Sequence, residues 1–353
     1  MNFLGLGTAT PQARYTKAQC LAAFRESDWY ARLGTRAHSL AEKVLQRDNG
    51  IDARHLAIDS LEEVFTIEPD TLARRFLQHA PDLAARAARK ALAQAQLAAT
   101  DIDAVVVSTC TGYLCPGLSG YVVEQLELRR DVQAFDLVGQ GCAAAVPNLQ
   151  ICRALLASGA CEHVLSICAE VSSAAMYLDD DPGVLISACL FGDGAGAAVL
   201  SRQPREGSRR VALVESASLV DPQKRGALKF EERNGMLRNI LSRSVPELAA
   251  QYALQVLDQV LGRTGLRTSD VSTWILHPGG RDVLLALERQ LNLDAQNFRY
   301  SAAILRKFGN LSSASVYFVL EAALLDAAPP GWWWLTSFGA GFACHGALLQ
   351  VEH

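Results

Sequence analysis

Short apolar runs alternate with helix-like stretches from about residue 81 to the end of the chain, and this alternation restricts the fold more than any other feature. Strand-like runs stand at Ala104–Ser108, Val132–Leu137, His163–Cys168, Val271–Leu276, Trp332–Ser337 and Phe342–Val351. One helix-like stretch opens at Pro81-Asp82, with Asp82 as N-cap, and runs to about Leu97. Others cover Ser119–Leu126, about Ala143–Ala157, Pro246–Leu261, about Arg281–Leu291 and about Leu311–Leu325. Strands alternating with helices predict an α/β fold. The chain has 353 residues, half of them hydrophobic, enough for one large or two fused domains with a substantial core.

A weak internal symmetry runs through this pattern. Cys142 opens a helix with Leu155-Leu156 thirteen and fourteen positions on. Asn310 opens another with Leu324-Leu325 fourteen and fifteen positions on. The polar segment Pro204-Arg205-Glu206-Gly207-Ser208-Arg209-Arg210 separates the two, which predicts halves at 1–205 and 206–353. A duplicated fold places these two helix starts near each other across a pseudo-twofold axis.

Composition excludes several classes. Net charge is −4 with pI near 6.0, whereas nucleic-acid-binding proteins are normally basic. No apolar run reaches the ~20 residues of a membrane span, and the N-terminus carries no basic, signal-like region. Nine scattered cysteines without Cys-x-x-Cys spacing predict a reduced, cytoplasmic protein whose thiols are mostly small core residues. Gly192-x-Gly194-x-Gly196 resembles a phosphate loop, but Ala197-Ala198-Val199-Leu200 reads as strand where a helix should follow. Cys344 and His345 are adjacent, a poor spacing for one metal site, and read as strand residues.

Three residues stand out chemically. Cys142, in Gly139-Gln140-Gly141-Cys142-Ala143, lies at a helix start among small residues that leave room for an acyl group. The helix dipole and a nearby imidazolium would favour its thiolate. His277 ends an apolar strand and precedes Pro278-Gly279-Gly280, and Asn310 can donate to an oxyanion without becoming charged. Singly, each also has a plainer reading: a core thiol, a backbone-bonded histidine and a helix cap. Together they form the set for nucleophilic catalysis, with 135 residues between Cys142 and His277 and 33 between His277 and Asn310.

With these segments in this order, the chain resembles type III polyketide synthases, the chalcone synthase-like family. The resemblance rests on Gly141-Cys142, His277-Pro278-Gly279-Gly280 and Gly309-Asn310-Leu311-Ser312-Ser313-Ala314, with support from Leu190-Phe191-Gly192-Asp193-Gly194-Ala195 and Gly339-Ala340-Gly341. It implies a thiolase-like fold of two βα halves in five αβαβα layers, a homodimer, and no metal or organic cofactor. It also implies that Cys142 carries the acyl starter while His277 and Asn310 assist decarboxylation of malonyl-CoA, giving chain extension and cyclisation to a pyrone or resorcinol.

The resemblance makes Phe191 a gatekeeper between a CoA tunnel and a reaction cavity. It puts Thr111, Ala175, Ser312, Asn239 and Ile240 around that cavity and Cys115 at a position that contacts the partner. Ala175 stands where plant members have Thr, Cys115 where they have Met, and the segment 234–242 carries no aromatic residue to serve as a second gatekeeper. These departures point to bacterial alkylpyrone or alkylresorcinol enzymes and a fatty acyl-CoA starter. Lys43, Arg47 and Arg54 are the basic residues expected to meet the CoA phosphates, with solvated helix charges as the competing reading. Three other readings stay open: a ketoacyl synthase III-like enzyme making one extension, a papain-like cysteine hydrolase, and a non-catalytic scaffold.

Overall fold

The structure, a computed structural model, describes residues 1–207 and 209–352. In chain order the strands are β1 (Asn2–Ala9), β2 (Arg14–Thr16), β3 (Ala53–His55), β4 (Ala104–Ser108), β5 (Gln133–Leu137), β6 (His163–Glu170) and β7 (Gly194–Ser201). They continue as β8 (Val211–Val220), β9 (Leu228–Arg233), β10 (Met236–Leu241), β11 (Val271–Leu276), β12 (Gly331–Gly339) and β13 (Ala343–Val351). The helices are α1 (Lys17–Glu26), α2 (Asp28–Arg32), α3 (Thr35–Gln46), α4 (Pro69–Ala95), α5 (Leu118–Leu126) and α6 (Ala145–Ala157). After these come α7 (Pro182–Leu190), α8 (Val245–Thr264), α9 (Arg281–Leu291), α10 (Arg299–Phe308) and α11 (Ser315–Leu325).

Nine strands form one sheet in the order β11-β12-β13-β8-β1-β7-β6-β4-β5. The order repeats itself about its middle. Outward from β1, the pairings to β7, β6 and β4 are antiparallel, antiparallel and parallel. Outward from β8, the pairings to β13, β12 and β11 follow the same sequence. The two sets join through Asn2↔Ala212 and Phe3↔Val211, extended by the Leu213 N–H bond to Met1 O at 2.8 Å, and the boundary expected at 205/206 falls in the β7–β8 connection.

Helices complete five layers. α4 and α5 cover the outer face of the first set, and α8 and α9 the outer face of the second. Between the sets lie α6, touching β4, β6, β12 and β13, and α11, touching β1, β7, β11 and β12. Both inner helices are apolar nearly all round, as a helix covered on every side must be. Leu149 and Cys152 of α6 and Val316 and Leu320 of α11 share one buried cluster with Leu335 and Ile275. A polar pin crosses this core. Asn148 Nδ2 donates to Val106 O at 3.0 Å and Ile167 O at 3.1 Å, and Ser166 Oγ lies 2.6 Å from both Asn148 Oδ1 and Tyr317 OH.

The structure corrects two sequence expectations. The helix expected to open at Pro81 opens at Pro69 and passes through Pro81, so Asp82 pairs with Arg86 at 3.2 Å instead of capping. The missing N–H of a mid-helix proline costs about 3 kcal/mol, but packing of Ala84, Ala87, Ala88 and Ala91 onto the sheet outweighs it. The helix expected from Leu311 starts at Ser315, after a 3-10 turn at Ser312–Ala314. The alternation did not reveal α7, whose N-cap Asp181 accepts from Gly183 N at 2.8 Å, or the β9–β10 hairpin. Both border the site described next.

Candidate active site

Cys142 sits in a 3-10 turn, Gly141–Ala143, just before α6. Two glycines allow this turn. Gly141 has φ of +56°, in the left-handed region that favours glycine. Gly339, at the end of β12, faces the turn so closely that a Cβ there would lie 2.5 Å from Ala143 N and 2.9 Å from Cys142 N. Ser337 Oγ, two residues earlier, donates to Ala143 O at 2.9 Å. The thiol-bearing turn of the first half is thus seated on a strand end of the second.

The thiol is buried, and Ser312 Oγ donates to its Sγ at 3.3 Å. Burial pushes the Cys142 thiol up to about 12, only partly offset by that hydrogen bond. His277 follows β11, with its backbone N–H bonded to Thr336 O at 3.0 Å and its ring edge-on to Phe338 at 5.0 Å. Its Nδ1 is buried without a hydrogen-bond partner among the described residues. Burial pulls the imidazole down to about 3. In both groups burial disfavours the charged form, so it works against the expected imidazolium–thiolate pair.

Asn310 is fixed on both sides. Its backbone N–H bonds Leu190 O at 2.9 Å, and its C=O accepts from Gly192 N at 3.0 Å. Its Oδ1 accepts from Ser312 N at 2.9 Å and its Nδ2 donates to Gly279 O at 3.1 Å. A carboxamide has two N–H donors, so one is left for a ligand.

Cys142, His277 and Asn310 line one cavity of ≈ 510 Å³, together with Phe191 and Phe338. Leu40, Val44, Ile186, Leu228 and Leu241 form its apolar wall. Lys43, Arg47, Arg243 and Arg281 also line it, and all four are exposed. A second, small pocket of ≈ 30 Å³ is lined by Thr111, Ala175, Phe191, Asn239 and Ser312, five of the positions named from sequence. Phe191 borders both spaces.

Three expected positions fall elsewhere. Arg54 is buried, and its guanidinium donates to Ala188 O at 2.7 Å and Phe191 O at 3.0 Å, so it braces the loop before β7 instead of facing a phosphate. Cys115 is exposed and borders neither space. Ile240 is half-buried beside the pocket wall, which its neighbours Asn239 and Leu241 supply.

Sequence reading missed several residues. Phe230 of β9, paired with Asn239, is the aromatic of the hairpin and lines the small pocket, in place of the second gatekeeper sought in 234–242. Arg243 and Arg281 join the basic rim. Glu170 ends β6 fully buried, accepting from Cys110 N at 3.0 Å and Thr111 Oγ1 at 2.9 Å, and from Ser313 Oγ. Burial pushes its carboxyl above the usual range. A carboxylate at the end of an otherwise apolar strand was the available signal.

Comparison with known proteins gives the chain a family. Residues 8–262 match the family described as FAE1/type III polyketide synthase-like protein, and residues 212–351 match the chalcone and stilbene synthase C-terminal domain. A 3,5-dihydroxyphenylacetyl-CoA synthase from Streptomyces toyocaensis is 27% identical over 98% of this chain and 89% of its own. An alpha-pyrone synthesis polyketide synthase-like protein from Mycobacterium tuberculosis is 29% identical over 98% and 90%. The crystal structure of PKS-I from the brown alga Ectocarpus siliculosus superposes with a TM-score of 0.90 at 26% identity, covering 99% of this chain and 98% of that one. The 1,3,6,8-tetrahydroxynaphthalene synthase of Streptomyces coelicolor, at 23% identity and TM-score 0.88 over the full length of both chains, shares the fold. Sequence, fold and site together make this chain a member of the type III polyketide synthase family, whose enzymes are acyltransferases.

Proposed function

We propose that this protein condenses malonyl-CoA repeatedly onto a fatty acyl group held by Cys142 and cyclises the product to a pyrone or resorcinol. The observation that carries the reading is the single cavity that joins Cys142, His277 and Asn310 to an apolar wall and a basic rim.

In the first step Cys142 Sγ attacks the starter thioester, its proton passes to His277, and CoA leaves after taking that proton. The transfer creates opposite charges side by side in a low-dielectric pocket, where their attraction offsets part of the cost of burying each. In the second step the malonyl thioester carbonyl accepts hydrogen bonds from His277 and from the free N–H of Asn310. The bond to the carboxylate breaks, CO2 leaves, and its electron pair enters the stabilised enolate. The α-carbon then attacks the acyl carbonyl, a C–C bond forms, and the Cys142 thiolate departs. Nucleophile and donors all belong to the chain, and the reaction as proposed uses no metal or organic cofactor.

Leu40, Val44, Ile186, Leu228 and Leu241 support the fatty acyl assignment. An alkyl chain of ten carbons buries far more of such a wall than an acetyl group, at ~0.8 kcal/mol per methylene. Nine free thiols fit a reducing compartment, and we place the enzyme in the cytoplasm. Among the described residues no helix is long and apolar enough to cross a membrane. We further propose a homodimer through β5, the edge strand that ends the first set, where Phe135 is 40% and the adjoining Val138 53% exposed. An unpaired edge flanked by apolar side chains is a natural place for a second copy.

Three measurements test these assignments. With malonyl-CoA and acyl-CoAs of graded length, kcat/KM is expected to rise about tenfold or more from acetyl to decanoyl, with product masses showing two or more extensions. A preference for aromatic starters contradicts the starter assignment, and a single extension contradicts the polyketide reading. Arg243→Ala and Arg281→Ala are each expected to raise KM for malonyl-CoA about tenfold with kcat nearly unchanged; unchanged KM in both removes them from the CoA site. Sedimentation should give a dimer that Phe135→Asp with Val138→Asp dissociates, while a wild-type monomer overturns the dimer.

A further inference from the structure

One ion-pair network ties together the two walls of the small pocket. Arg238 of β10 is buried, and its guanidinium reaches three carboxylates. Its Nε donates to Asp179 Oδ2 at 2.8 Å, its Nη1 donates to Glu231 Oε1 at 2.9 Å, and its Nη2 lies 3.5 Å from Asp181 Oδ2. Glu231 is its cross-strand neighbour in β9, whereas Asp179 and Asp181 stand just before α7. Lys229 and Arg233 complete the network, 3.1 Å from Glu231 and 3.8 Å from Asp179, so three cations face three carboxylates. A second close contact joins the same two elements: a Cβ on Gly183, at the start of α7, would lie 2.3 Å from Leu241 O of β10.

None of these charged residues lines the small pocket, but they hold its walls. The hairpin contributes Phe230 and Asn239, and the segment facing it contributes Tyr177 and Val184. Arg238 Cζ stands 6.0 Å from the centre of the Tyr177 ring. The pocket begins beside the nucleophile, because Ser312, which lines it, donates to Cys142 Sγ at 3.3 Å. Its ≈ 30 Å³ holds about two waters. Each condensation adds two carbons and an oxygen, so a growing chain enters this space only as the hairpin and α7 part. Parting them breaks charge-assisted hydrogen bonds of a buried guanidinium, which are stronger than neutral ones and costly to leave unmade.

We propose that Arg238 is a positioning residue that sets how many extensions the enzyme makes, by clamping the β9–β10 hairpin to the start of α7 and so limiting the space beside Cys142. The proposal rests on the reading that condensation is repeated on a chain held by Cys142. Arg238 acts through Phe230 and Asn239, whose sequence neighbours Glu231 and Arg238 form the clamp. With the clamp closed, the pocket fills early and the chain leaves by cyclisation. With the clamp released, Asp179, Asp181 and Glu231 lose their shared cation and repel one another, the walls separate, and a further malonyl unit is added before the ring closes.

The test incubates the purified full-length enzyme with decanoyl-CoA and excess malonyl-CoA and sorts the products by mass according to the number of extensions. Arg238→Met and Asp179→Asn are each expected to raise the ratio of products longer than the main wild-type product to that product about tenfold, the discrimination that a wall contact with one or two carbons carries. Arg238→Lys keeps the charge and should shift the ratio no more than about threefold. Acylation of Cys142 by decanoyl-CoA alone reports that a variant is folded. Asp179 is half-buried, so Asp179→Asn keeps the test readable where Arg238→Met does not fold. A folded variant of either kind with the wild-type ratio, or with shorter products, overturns the clamp; a lowered melting temperature at an unchanged ratio leaves Arg238 a purely structural role. An equal shift in Arg238→Lys and Arg238→Met overturns the ion-pair basis of the proposal. Wild type that stops at a single extension contradicts the repeated condensation itself, a result distinct from unchanged products in the variants.

Discussion

The site depends on one close approach, that of the Cys142 turn to the end of β12 at Gly339. Each half of the molecule has its own outer helices and strands, but neither carries a complete site. The first half supplies Cys142 and Glu170, the second His277, Asn310 and Ser312. They meet because Gly339 lacks a Cβ, which would otherwise lie 2.5 Å from Ala143 N, and because Ser337 Oγ anchors Ala143 O. Backbone is in the way on both sides, so no side-chain rotation would relieve a methyl group there.

Close packing of this kind also sets the electrostatics. The inner layer that brings the halves together removes water from both reacting groups, which pushes the thiol up and pulls the imidazole down. Charge that develops during the reaction does so in surroundings where hydrogen bonds to it are stronger than in water. Asn310 fits this design because its carboxamide stays neutral and its orientation is fixed by Gly279 O and Ser312 N before any substrate binds.

Residues at the ends of regular elements were legible in the sequence, and residues whose role depends on distant burial were not. Cys142 and Asn310 each follow a glycine and His277 stands two residues before one, all at strand or helix ends, and all three reach one cavity. The duplicated α/β pattern could likewise be read, because apolar inner helices and buried strands leave a local signature. Arg54 and Arg281 show the limit. Both are arginines in polar surroundings, yet one is buried under Ala188 and Phe191 carbonyls and the other opens to the cavity, a difference set by how α1, α3 and α9 pack. Pro81 misled for a related reason: local propensity starts a helix there, and burial of the alanine face carries the helix back through it to Pro69.

The most direct test of this account is the Gly339→Ala variant, which leaves every reacting side chain in place and moves only the turn that bears the thiol. Acylation of Cys142 by decanoyl-CoA is expected to slow about a hundredfold, since a misplacement of about 1 Å has an effect of that order. Decarboxylation of malonyl-CoA, which needs His277 and Asn310 but not the thiol, should stay within about threefold of wild type, well under that effect. Acylation at the wild-type rate would contradict the claim that the contact of the two halves at Gly339 places the nucleophile.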